Sequence, residues 1–150
     1  MYGIFEIGMD RKGEIDFLSQ IIKPDIGIIT NISYAHAKNF RTLFDIAKAK
    51  SEIIFNIRKN GTVVLNKDDK FFDFFSKLAK KNNLNIISFG KRKNSNIRLS
   101  KIKKTKRTCI IYVSVDSKSY NFKIHNNLLP YVENILASLA VCKSLDIIDK

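Results

Sequence analysis

Ile26-Gly27-Ile28-Ile29-Thr30-Asn31-Ile32, then a helical pattern over Leu43–Ile57, then Thr62-Val63-Val64-Leu65: this succession decides the fold. Ile26–Ile29 is an apolar run broken only by Gly27, as expected of a strand covered on both faces. Leu43, Ile46, Ala47, Ile53, Ile54 and Ile57 recur at helical spacing and form one broad apolar face. A second short apolar run follows, so the helix is a crossover between two parallel strands. Asn60-Gly61 reads as the cap that ends the helix. Outward from this unit the pattern repeats. Asp68 or Asp69 can cap a helix over Phe71–Lys81, whose stripe is Phe71, Phe74, Phe75 and Leu78. Asn82-Asn83 ends it, and Asn85–Phe89 is the next strand. Upstream, Tyr2–Gly8 reads as a buried strand and Glu14–Ile22 as a short helix stopped by Lys23-Pro24-Asp25.

After Gly90 the character changes. Lys91–Arg107 holds nine Lys/Arg and no acid. Ile97, Leu99, Ile110, Tyr112–Val115 and Tyr120–Ile124 suit strands joined by short polar turns, with Asp116-Ser117-Lys118 as a hairpin turn. Asn126–Pro130 leads to a final helix, Tyr131–Leu145. The expected class is α/β: a mostly parallel sheet with flanking helices, plus a small antiparallel β-meander at about 96–124. The parallel part covers residues 1–90, the antiparallel part 91–125 and the closing helix 126–150.

The 150 residues are 45% hydrophobic, enough for one domain with its own core. No apolar run approaches the roughly 20 residues of a membrane-spanning helix. The start, Met1–Glu6, lacks a basic leader. Cys109 and Cys142 are too few for a disulfide framework and lack zinc spacing, so both read as buried thiols of a cytoplasmic protein. The net charge of +13 could attract nucleic acid, and Lys91–Arg107 is the best candidate for it. A solvated strand face accounts for the same residues, and the Lys-Asn-Ile-rich composition accounts for the charge, so the sequence does not favour nucleic acid as a partner.

Three residue types with useful chemistry follow strands or line helices near one sheet edge, the place where α/β proteins bind ligands. Glu6 sits at the end of an apolar stretch, where an acid can bind Mg²⁺ or serve as a cap or ion-pair partner. His36 lies in the loop after Ile26–Thr30. Lys48 and Lys50 are two apart on one helix and face different directions, so only one can point into a cleft.

Taken in order, the segments Phe5-Glu6-Ile7-Gly8-Met9, Gly13-Glu14-Ile15, Lys23-Pro24-Asp25 with Thr30-Asn31-Ile32 and Ala35-His36, Ile46–Ile53, Val64–Asp69 and Asn134–Ala140 resemble the central, ATP-using domain of the Mur ligases. The G-E-I and A-H variants favour the member that adds D-alanyl-D-alanine to UDP-N-acetylmuramoyl-tripeptide. The resemblance implies that Glu6 and His36 hold Mg²⁺ ions that accompany ATP. It implies that Lys50 is carbamylated and joins them as a metal ligand, that Asn134 contacts adenine, and that Asn31 belongs to the nucleotide site. It implies phosphorylation of the peptide carboxylate to an acyl phosphate, then attack by the D-alanyl-D-alanine amine.

The chain departs from the family pattern in two places. No G-T-x-G-K-[ST] phosphate loop occurs anywhere in it, and Leu128-Leu129-Pro130-Tyr131 replaces the Gly-x-His-Asn expected before the closing helix. The expectation is therefore a monomeric fragment, inactive alone and with one sheet edge bare. The alternatives are a small basic nucleic-acid-binding module and another Mur-like amide ligase of folate or cyanophycin type.

Overall fold

The structure, a computed structural model, describes residues 2–34 and 39–148. Six strands form one sheet in which spatial order follows chain order: β1 (Ile26–Ile29), β2 (Thr62–Asn66), β3 (Asn85–Gly90), β4 (Ile97–Lys104), β5 (Thr108–Val115) and β6 (Lys118–His125). β1 through β4 pair in parallel, and β4-β5-β6 pair antiparallel. The expected meander is thus a continuation of the parallel sheet.

Alternation along β2 shows how the sheet divides its core. Val64 faces one side with Phe89, Ile97, Ile111 and Val113, and α4 (Val132–Ser144) covers it with Val132, Leu136, Ala137 and Ala140. Val63 and Leu65 face the other side with Ile29, where α2 (Leu43–Asn56) and α3 (Phe72–Lys81) contribute Ala47, Ile54, Phe75 and Ala79. Gly27 lets α2 approach closely, since a Cβ there would lie 2.6 Å from Ile57 Cδ1.

The helix ends follow local chemistry. A reciprocal capping box opens α2: Thr42 Oγ1 accepts the Asp45 N–H and the Asp45 carboxylate accepts the Thr42 N–H. α1 (Glu14–Ile22) has Gly13 at its N-cap, with a left-handed φ of 93° and no side chain to cap with. Its cap comes from α2: the Glu52 carboxylate accepts the Gly13 N–H at 2.9 and 3.0 Å and the Asp16 N–H at 3.1 Å.

β3 and β4 stay parallel across only six loop residues because they overlap little. Only Phe89↔Ile97 and Gly90↔Arg98 pair, so β4 begins where β3 ends and carries the meander past the C-terminal edge of the parallel strands. The Asp68 carboxylate anchors that loop by accepting the Lys91 and Arg92 N–H groups at 2.6 and 3.0 Å.

Three expectations are corrected. Tyr2–Gly8 is not a strand. It is irregular and open to solvent, with Ile4 96% exposed and Phe5 66%. β-structure needs a ladder partner, and no described residue pairs with this segment. Asn60-Gly61 does not cap α2. The helix ends at Asn56, and Asn60, with φ 62°, turns the chain into β2. Cys142 is only half-buried, whereas Cys109 is fully enclosed, and neither is disulfide-bonded. No helix among the described residues is long and apolar enough to cross a membrane.

Candidate active site

Thr30-Asn31-Ile32 leaves the C-terminal end of β1, and Asp69 follows the C-terminal end of β2. Lys50 reaches this edge from the middle of α2. Its Nζ donates to the Asn31 carbonyl at 2.9 Å. The Asp69 carboxylate accepts the Ile32 N–H at 2.9 Å and the Phe71 N–H at 2.8 Å. One peptide group, Asn31–Ile32, is therefore held at its oxygen by an ammonium and at its N–H by a carboxylate. Burial pushes the Lys50 amine below its ordinary value, and the Asp69 charge opposes that shift. A half-buried lysine that deprotonates more readily than usual is a potential nucleophile. Lys48 turns away, as two-residue spacing requires, and lies 4.5 Å from the centre of the Phe44 ring.

Asn66, buried at the end of β2, contacts Glu133 of α4 at 3.5 Å. That contact sets the start of α4 over the same sheet edge. Asn134 lies there with its side chain exposed. Glu6 is exposed and bonds to no described residue. His36 lies outside the described residues. Among the described residues, no group of three His, Cys, Asp or Glu side chains is arranged to hold a metal.

From the sequence, Asp69 is expected as a helix cap and as part of the Val64–Asp69 strand-end element, but not as a partner of the Asn31–Ile32 peptide. Its position at the end of an inner parallel strand was the available signal. Glu14 and Glu52, quoted for the resemblance, have structural work. Glu14 accepts the Asp10 and Arg11 N–H groups, which hold its carboxyl below the usual range. A depression of about 500 Å³ beside them, lined by Gly8, Arg11, Lys12, Gly13, Glu14, Phe17 and Leu18, includes none of Lys50, Asn31 or Asp69.

Residues 1–142 match the family described as the Mur ligase middle domain. The chain belongs to the Mur ligase family. Among curated Mur ligases, it is 41% identical to UDP-N-acetylmuramoyl-tripeptide–D-alanyl-D-alanine ligase of Buchnera aphidicola subsp. Acyrthosiphon pisum (strain APS), over 68% of this chain and 22% of that one. It is 33% identical to the ligase of the same name from Buchnera aphidicola subsp. Baizongia pistaciae (strain Bp), over 97% of this chain and 31% of that one. It superimposes on the MurF ligase of Thermotoga maritima in complex with ADP with a TM-score of 0.80, at 26% identity, covering 94% of this chain and 32% of that one. The chain thus spans less than a third of the length of these Mur ligases.

Proposed function

We propose that this chain is part of the middle domain of an ATP-dependent amide-forming ligase that joins D-alanyl-D-alanine to UDP-N-acetylmuramoyl-tripeptide in peptidoglycan synthesis. The supporting similarity is to ligases of that name. The observation that carries the reading is the Lys50–Asn31–Asp69 cluster at the C-terminal edge of a parallel sheet. In this reading the neutral Lys50 amine attacks CO₂. A new N–C bond forms, the nitrogen proton leaves to solvent, and a carbamate replaces the ammonium.

The unmodified ammonium repels a divalent cation, whereas a carbamate presents hard oxygens suited to Mg²⁺. The Glu6 carboxylate, bonded to no described residue, and the His36 imidazole would complete such a donor set in chemistry. When bound, Mg²⁺ would neutralise charge on the phosphates of ATP. Within the chain, Asp69 fixes the Asn31–Ile32 peptide so that Lys50 has a defined position, and Asn31 would be among the residues that hold the nucleotide. Asn134 offers an exposed amide to adenine. No glycine-rich phosphate loop is present among these residues, so they alone supply no backbone cradle for the β- and γ-phosphates. The reading accordingly has this chain, as a cytoplasmic monomer, making no peptide bond alone.

The test is ¹³C NMR of the chain equilibrated with ¹³C-bicarbonate. A carbamate signal that disappears in Lys50→Arg is expected. Its absence across neutral to mildly alkaline pH sinks the Lys50 assignment. Calorimetry with ATP and Mg²⁺ checks the other half: micromolar affinity for the chain alone contradicts the missing-cradle argument.

A further inference from the structure

The basic stretch is unexplained by the ligase reading, and the structure organises it. In β4 the register slips between Leu99 and Lys101, leaving Ser100 as an extra residue. Such a bulge reverses which face each later side chain takes. Without it Lys101 and Lys103 would point with Leu99 towards α4. With it, Lys101 pairs with Tyr112 and Lys103 with Ile110, on the face away from α4. Arg98, opposite Ser114, already lies on that face. β6 adds Ser119, Asn121 and Lys123, opposite Ser114, Tyr112 and Ile110.

Among the described residues no helix packs on this side of β4–β6, since α2 and α3 lie against β1–β3. β5 alternates half-buried and buried along its length, as a strand open on one face must. The result is a bare three-stranded face bearing four cations, with Tyr112 on its middle strand. The meander holds one acid, Asp116, and that acid is bonded to Lys143.

We propose that this face binds single-stranded RNA. Cations two residues apart along a strand are roughly 6.7 Å apart and can follow a sugar–phosphate chain. An aromatic ring on an open antiparallel sheet can stack a base. Ser114, Ser119 and Asn121 offer hydrogen-bonding partners for ribose hydroxyls. An anionic membrane fits less well, since the ring sits among polar groups in mid-sheet rather than at a protruding tip.

The test is fluorescence anisotropy with labelled oligouridine over a salt series. A log–log slope near −3 is expected, about −0.7 for each of four phosphates. Lys101→Ala with Lys103→Ala should make the slope shallower by about 1.4. Tyr112→Leu should weaken binding roughly 10-fold with the slope unchanged, and Tyr112→Phe should retain it. Replacing Lys77, Lys80 and Lys81 of α3 by Ala should leave the slope intact. The lysine pair is exposed on the ribbon, so it remains decisive if Tyr112→Leu fails to fold by circular dichroism. The proposal is overturned by no binding at low salt, by an α3 triple variant as impaired as the β4 pair, by oligodeoxyuridine binding as tightly, or by phosphatidylserine-containing vesicles binding as well as oligouridine.

Discussion

Replacing Glu52 by Ala should loosen α1 from α2 without touching the candidate active site. Among the described residues the Glu52 carboxylate, reaching over from α2, caps α1 by accepting two of its backbone N–H groups at 2.9 to 3.1 Å. Losing an N-cap costs about 1 kcal/mol. Hydrogen bonds to a charged group contribute about 1.5–3 kcal/mol each, and a charge at a helix N-terminus about 0.3–1 kcal/mol. These contributions overlap, because the same N–H groups enter all three. Gly13 is also exposed, so water recovers part of the loss. The expected destabilisation is about 1.5–2.5 kcal/mol, or roughly 3–10 °C in Tm for a chain of this size. Glu52→Gln keeps an acceptor but loses the charge, and about half the effect should remain. Urea unfolding followed by circular dichroism measures both, with the denaturant slope unchanged. A Glu52→Ala loss below about 0.5 kcal/mol would refute the claim that α2 supplies the cap.

Gly90→Ala should cost about 2 kcal/mol, because Gly90 has φ 147° and a Cβ would lie 2.8 Å from the Asp68 carboxyl carbon; urea midpoints read it. Lys50 binds its proton less tightly folded than unfolded, so its charge is a cost to the fold at neutral pH. The wild type should therefore gain stability relative to Lys50→Met as pH rises towards the ordinary lysine range, and a gap independent of pH would contradict the burial. The Asp116 carboxyl is held low by the Lys143 ammonium and by Asn96. Its advantage over Asp116→Asn, about 1 kcal/mol or less for an exposed pair, should be present above the usual carboxylate range and vanish as pH falls through the lowered value. Asn tolerates the φ of 49° at that position, so the comparison isolates the charge.

Much of the fold was legible because its signals are local. α2 and α3 announce themselves by apolar spacing, β1 and β2 by short apolar runs, and the β5–β6 turn by Asp116-Ser117. The same holds for the half of the site on which Lys50 and Asn31 lie. Their ordered neighbours carried the family resemblance, and two-residue spacing separated Lys50 from Lys48.

Composition and periodicity state what a segment prefers, and the amino-acid order alone determined the α/β class, the crossover helices and the family of this chain. Contacts between distant segments decided the rest. Tyr2–Gly8 has the composition of a strand but no ladder to join among the described residues, since hydrogen-bond partners come from distant segments. Asp69 and Lys50 meet only across the Asn31–Ile32 peptide, Glu52 caps a helix 36 to 39 residues away, and one extra residue at Ser100 sends Lys101 and Lys103 to the open face. Hydrogen bonds and register depend on positions in space, which no one-dimensional pattern encodes.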